Sequence, residues 1–208
     1  MIYLSHFIDS NTPVYGGVNN EITIDQIRSI KNGNTSNNSF FKFPGHIGTH
    51  IDFPFHFSLE GKKSSDYPPS FWIFNDVGFL NCPLEEVKNN IQKLSSNIEL
   101  LILKTGFGKN RGDDIYWKEQ PVIPADFAEL FRNKFPKLRV FGFDMISLTS
   151  QLDKSEGKLA HINFLLNYNI LILEDMDLNQ LNNSPKKVII SPLQFKNADG
   201  VPCSVIAF

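Results

Sequence analysis

Phe43-Pro44-Gly45-His46-Ile47-Gly48-Thr49-His50-Ile51-Asp52-Phe53-Pro54-Phe55-His56 holds three of the chain's five histidines and one aspartate within the eleven residues from 46 to 56. The polar residues at 46, 50, 52 and 56 all fall on even positions, so in extended backbone they share one face, while Ile47, Ile51, Phe53 and Phe55 point the other way. A helix would set 50 and 52 roughly 200° apart around its axis. A straight strand fails as well: at about 3.3 Å per residue His46 and His50 would lie roughly 13 Å apart, whereas imidazoles sharing one zinc each approach it to about 2.0–2.1 Å. The backbone must therefore bend. Gly45 and Gly48 permit a bulge or tight bend, and Pro44 and Pro54 mark places where ladder hydrogen bonding stops. The expectation is a kinked, partly extended segment whose side chains converge on one point.

Imidazole and carboxylate donors without a thiolate suit Zn, Mn, Fe or Co, and suit a catalytic ion better than a Cys-rich structural one. A lone histidine is usually a satisfied core or surface residue, but this density is not explained that way. Spacing alone does not separate a ligand role for His56 from a proton-transfer role.

With 208 residues, 41% hydrophobic and nineteen Phe, the chain can build one sizeable core, so a single domain over 1–208 is expected. A net charge of −2 without basic runs gives no phosphate-tracking surface, which argues against nucleic acid and for a small-molecule substrate. Met1 to Asp9 lacks a basic and then apolar leader, and no stretch approaches the roughly 18 apolar residues of a membrane span, so a soluble, cytoplasmic protein without a membrane partner is expected. Cys82 and Cys203 match no paired metal-site spacing and read as buried free thiols.

The first hundred residues read mostly as strands and loops, with the polar run Lys31–Ser39 as a surface turn or hairpin loop. Pro83–Gln92 reads as a helix with Pro near its first turn, followed by a buried strand at Leu100–Leu103. A second helix is expected from Pro124 to Phe135, then a strand around Val140–Phe143. The long connection from Gly106 to Pro121 belongs either to an active-site rim or to an exposed excursion. His161 opens an amphipathic run to Tyr168, and Glu174 ends the apolar strand Ile170–Leu173. A helix of seven residues runs out roughly 10 Å and four strand residues return roughly 13 Å, so the two side chains can meet.

The segment His46-x-Gly-Thr-His50-x-Asp52-x-Pro-x-His56 resembles the signature of the cyclase family of metal-dependent hydrolases, which includes bacterial kynurenine formamidases and isatin hydrolases. Further fragments match in the family's order: Leu4-Ser5, Thr12-Pro13-Val14-Tyr15, Leu103-Lys104-Thr105-Gly106, Gly142 to Ser147, His161, Ile170 to Glu174, Ser191-Pro192-Leu193 and Asp199-Gly200-Val201-Pro202. The resemblance implies a mixed α/β (α+β) fold with a barrel-like mixed β-sheet flanked by helices. It implies that His46, His50 and Asp52 hold one ion, that Asp52, His161 and Glu174 complete a second position or the outer shell, and that His56 is the general acid and base. It further implies one or two ions of Zn or Mn per chain, a homodimer or higher homo-oligomer, and an aromatic residue at Tyr15 that stacks on the substrate.

Two features depart from the family pattern. Thirteen positions separate His161 from Glu174, one more than usual, and Tyr15-Gly16 replaces the commoner Trp-Pro. The extra residue is expected in the Asn167-Tyr168-Asn169 turn. A hydroxide generated at the ion would attack an amide carbonyl and His56 would protonate the departing nitrogen, which points to an aryl formamide or cyclic amide. The same chemistry serves a lactone or other ester, a cyclisation or a dehydration. A metal-binding protein without turnover is the third reading, and the presence of His56 speaks against it.

Overall fold

A computed structural model describes residues 1–17 and 22–208. Its strands are β1 (Ile2–Tyr3), β2 (Thr23–Arg28), β3 (Asn38–Lys42), β4 (His50–Asp52), β5 (Ile73–Phe74), β6 (Val77–Asn81), β7 (Leu100–Lys104), β8 (Val140–Phe143), β9 (Leu171–Glu174), β10 (Val188–Pro192) and β11 (Gly200–Ala207). The α-helices are α1 (Val87–Asn90), α2 (Ile115–Lys118), α3 (Phe127–Lys134) and α4 (Lys154–Ile162).

β6, β7, β8 and β9 run parallel, and β9, β4, β11, β10 and β5 continue antiparallel. The apolar runs Leu100–Leu103, Val140–Phe143 and Leu171–Leu173 are buried throughout, as parallel strands covered on both faces require. The two ends of this sheet, β5 and β6, are separated in the chain only by Asn75 and Asp76, so the sheet curls until its edges nearly meet. Arg139 ties the seam, donating to the carbonyls of Phe71 and Ile73 ahead of β6 while pairing with Glu99 at 3.1 Å. Phe131 of α3 packs against Phe127, Phe141 and Phe164, with ring centroids 5.0–6.0 Å apart. The fold is the mixed α/β, barrel-like architecture anticipated above.

The polar run Lys31–Ser39 joins β2 to β3 in an exposed hairpin, as expected. Both cysteines are free and buried. Among the described residues no helix is long and apolar enough to cross a membrane. The helix expected from Pro83 is a broken one, in which α1 is flanked by 3-10 turns at Leu84–Glu86 and Ile91–Lys93. α3 begins at Phe127, three residues later than read, because Pro124 to Asp126 forms a turn in which the Pro124 carbonyl accepts from Phe127 N.

The helix bearing His161 differs from expectation. It starts at Lys154, where Asp153 accepts a hydrogen bond from Glu156 N and caps the end, so His161 lies in its last turn rather than its first. Asn163–Asn167 then forms a π-helical turn, closed by Tyr168 N donating to Asn163 O at 2.9 Å. A π-turn accommodates one residue more than an α-turn. The π-turn directly precedes the Asn167-Tyr168-Asn169 turn in which the extra residue is expected.

Candidate metal centre

Three short elements turn the motif into a site. Gly48 adopts φ +56°, the left-handed region that lets the chain bend between His46 and His50. β4 then runs between β11 and β9 with His50 directly opposite Glu174 and Asp52 opposite Gly200. Finally Pro54 starts a 3-10 turn, Pro54–His56, that carries His56 back toward the other histidines. The odd-numbered Ile47, Ile51 and Phe53 are fully buried, as the parity predicted. Only the last part was misjudged: His56 arrives by a helical turn and not along an extended chain.

Hydrogen bonds fix how each imidazole presents itself. His50 Nδ1 donates to Gly48 O at 2.8 Å and His161 Nδ1 to Gly157 O at 2.9 Å, so Nε2 of both rings faces inward. His50 Nε2 lies 3.4 Å from Asp52 Oδ1 and 3.2 Å from Glu174 Oε2. His161 Nε2 lies 3.5 Å from Asp52 Oδ2 and 3.6 Å from Glu174 Oε1. His46 Nδ1 approaches Asp52 Oδ1 at 2.8 Å, while its Nε2 contacts Asp199 Oδ2 at 2.9 Å. Bare imidazole lone pairs this close to carboxylates repel, so a proton or a cation must sit between them. His50 Nε2 and Asp52 Oδ2 are moreover buried without a hydrogen-bond partner, each at a cost of about 1–3 kcal/mol that a bound cation relieves. The donor set is nitrogen and oxygen in three triplets, His46/His50/Asp52, Asp52/His161/Glu174 and the more exposed His46/His56/Asp199, the ligand atoms of each lying within 4.8 Å of one another. The residues fit a divalent metal ion.

With the protein's own charges alone, burial opposes protonation of His46, but hydrogen bonding to Asp199 and Asp52 raises its pKa to about 9. Burial likewise opposes protonation of His161, which Asp52 and Glu174 raise to about 10. Burial would raise the carboxyl of Asp52, yet the three imidazoles hold it well below the usual range. His56 goes the other way, because burial lowers it further than nearby carboxylates restore it, and it is neutral at pH 7.

A cavity of about 300 Å³ opens onto these groups, lined also by Tyr15, Phe57, Ile146 and Thr149. Tyr15 is part of the cavity wall, and its hydroxyl is buried with no hydrogen-bond partner among the described residues. Phe57 stacks on His161 with centroids 4.8 Å apart, and the His46 and His56 rings are 4.2 Å apart. A larger groove of about 620 Å³, lined by Tyr67, Trp72 and Pro192 among others, holds no histidine or carboxylate, so chemistry and not size identifies the site.

Four residues escaped the sequence reading as parts of the site: Asp199, Ser147, Leu148 and Asp175. Asp199 contacts both His46 and, at 3.2 Å, His56 Nδ1. Leu148 N and Ser147 Oγ donate to Glu174 Oε1. Asp175, at φ +49°, is held by a bidentate Arg111 and by the Tyr116 hydroxyl at 2.6 Å. The Gly106–Pro121 connection thus buttresses the site's rim. Asp199 stood in a fragment that matched the family, and that was its only signal.

The family described as "Putative cyclase" matches residues 2–150, a span that includes His46 to His56 and ends before His161. A kynurenine formamidase of Bacillus thuringiensis (strain Al Hakam) is 33% identical over 165 residues, which cover 77% of this chain and 75% of that protein. One of Bacillus anthracis is 32% identical over the same length. Among solved structures, isatin hydrolase A from Labrenzia aggregata superposes with a TM-score of 0.80 at 17% identity, covering 100% of this chain and 93% of that one. A potential metal-dependent hydrolase with cyclase activity gives 0.76 at 19% identity over 98% and 94% of the two chains. Motif, fold and the likeness to kynurenine formamidases agree, and the chain belongs to the cyclase family of metal-dependent hydrolases.

Proposed function

We propose that the protein is a metal-dependent hydrolase that cleaves the carbonyl–nitrogen bond of a small aromatic amide or formamide, with an N-formylkynurenine-like or cyclic amide as substrate. The observation that carries this is Asp52, whose two carboxylate oxygens each face a separate cluster, Oδ1 toward His46 and His50 and Oδ2 toward His161. His46 Nδ1, His50 Nε2 and Asp52 Oδ1 form one ligand set, and Asp52 Oδ2, His161 Nε2 and Glu174 Oε1 a second. A Zn or Mn ion, when bound, supplies Lewis-acid polarisation of the carbonyl and a water acidic enough to attack near neutral pH. His56, neutral at pH 7 and about a third exposed at the cavity, accepts the proton from the attacking water and returns it to the departing nitrogen. Tyr15 provides the flat wall for an aryl ring. The kynurenine formamidase relatives support the formamide, and the isatin hydrolase likeness extends only to the fold.

The test is turnover of N-formylkynurenine, isatin and small lactones by the Zn- or Mn-loaded protein. Hydrolysis of the formamide or the cyclic amide in preference to the lactones is expected. Preference for a lactone would assign the chain to ester chemistry instead, and inactivity on all three would remove the amidase assignment.

A further inference from the structure

Asp199 lies just before β11, in contact with two of the cavity-lining histidines, His46 and His56. A carboxylate only accepts, so its two imidazole contacts define where protons sit. Oδ2 lies 2.9 Å from His46 Nε2 and 3.2 Å from His56 Nδ1. With ions confined to the two inner triplets and none at His46/His56/Asp199, both nitrogens carry hydrogen, which leaves Nδ1 of His46 as the atom turned toward Asp52 and Nε2 of His56 as the free lone pair. Asp199 is itself fixed: its carbonyl accepts from Phe53 N at 2.9 Å, and the adjoining Ala198 exchanges hydrogen bonds with Ser64, N to Oγ and O to N, at 3.0 Å each. Its backbone is anchored on one end of the motif while its side chain grips both flanking histidines.

We infer that Asp199 is a positioning residue whose one carboxylate oxygen sets the tautomers of His46 and His56 together, coupling the orientation of an ion-binding imidazole to that of the proton-transferring one. The inference rests on the roles proposed above for those two histidines, although the tautomers do not. Outer carboxylates that hold a ligand imidazole's second nitrogen commonly change metal affinity or activity by about 10- to 100-fold when removed. Here the same oxygen serves a second ring. One substitution should then disturb metal affinity and turnover through two separate histidines.

Long-range ¹H–¹⁵N correlation spectra of the zinc-loaded protein, labelled at its five histidines, give the direct readout. His56 should carry its proton on Nδ1, and in Asp199→Ala it should shift toward the Nε2–H form that free imidazole prefers. The zinc dissociation constant, measured by chelator competition, should rise about 10- to 100-fold in the same variant. If a substrate is turned over, kcat should fall by a similar factor with KM changed less than about twofold, because no contact to substrate is lost. Asp199→Ser, shorter and uncharged, provides the same readout should the Ala variant fold poorly. His56 remaining Nδ1–H without Asp199, or being Nε2–H in the parent protein, would overturn the inference. The His56 tautomer is visible with or without zinc, so a protein that binds no zinc refutes the proposed metal centre and leaves the His56 half of the Asp199 assignment to be decided by the spectra.

Discussion

Replacing Gly200 by Ala is expected to unseat His46 while the barrel stands. A methyl group there would sit 2.3 Å from His46 Cε1, 2.6 Å from Nε2 and 2.7 Å from Nδ1, where ordinary contacts begin near 3.4 Å. The ring must retreat by about 1 Å to relieve the overlap. It has no slack for that, since Asp52 holds one nitrogen at 2.8 Å and Asp199 the other at 2.9 Å. Retreat breaks at least one hydrogen bond to a charged partner, which weighs about 1.5–3 kcal/mol and corresponds to roughly 10- to 150-fold in zinc affinity. Overpacking adds a stability loss of about 1–3 kcal/mol. Chelator competition measures the first effect and thermal unfolding the second. Gly45→Ala is the control, for its methyl group presses at 2.6 Å on the Gly200 carbonyl oxygen and so crowds the same backbone without meeting the ring from Gly200's side. Unchanged zinc affinity in Gly200→Ala, or equal losses in both variants, would refute the account of His46 as a ring clamped between two carboxylates.

Chelation should abolish activity and added Zn or Mn restore it, and His50→Ala or Asp52→Ala should lose the ion by elemental analysis. His56→Ala should keep the ion and lose about 10²- to 10⁴-fold in kcat; loss of the ion instead would make His56 a ligand. In the metal-free protein His46 and His161 titrate at about 9 and about 10, above their ordinary 6.5, so the ion must displace their protons at neutral pH. Zinc affinity should therefore tighten as pH rises from about 6 to about 8, with proton release read from the buffer dependence of the calorimetric heat; a pH-independent affinity contradicts this. The same raised values stabilise the metal-free fold fully below 6.5, and that contribution disappears as pH climbs through about 9 to about 10, which urea unfolding at several pH values would register. Tyr15→Ala should raise KM for aryl substrates more than for aliphatic ones, and equal effects would take Tyr15 out of the substrate pocket.

The motif segment was legible because its ligands are sequence neighbours and parity sorts them from Ile47, Ile51 and Phe53. The parallel strands were legible too, since Leu100–Leu103, Val140–Phe143 and Ile170–Leu173 are unbroken apolar runs. Asp199 was not, for it is 153 residues from His46 and reaches it only through the antiparallel pairing of β11 with β4, which no local pattern encodes. The start of α4 was missed for a different reason. Asp153 and Glu156 carry a capping signal, but Ser155, Gly157 and Lys158 interrupt the apolar period that would have extended the helix back from His161. The π-turn is invisible for a third: Asn163–Asn167 carries an ordinary helical pattern, and nothing in it marks the longer i→i+5 hydrogen bond from Tyr168 to Asn163.

The near-closure of the sheet decides where this chain is open to unwanted association. A strand edge exposes unpaired N–H and C=O groups to any passing chain, and curling β5 toward β6 brings the two edges of the main sheet into mutual cover. Ser184 adds to that cover by donating its hydroxyl to Val77 O at 2.6 Å on the outer side of β6. Among the described residues no further strand pairs with the β2–β3 hairpin. It is a two-stranded sheet, and it exposes Ile27 and Phe41 at 59% each. Among the described residues, 23–42 thus leave strand edges open, whereas the main sheet, which holds the metal ligands, covers its edges with one another.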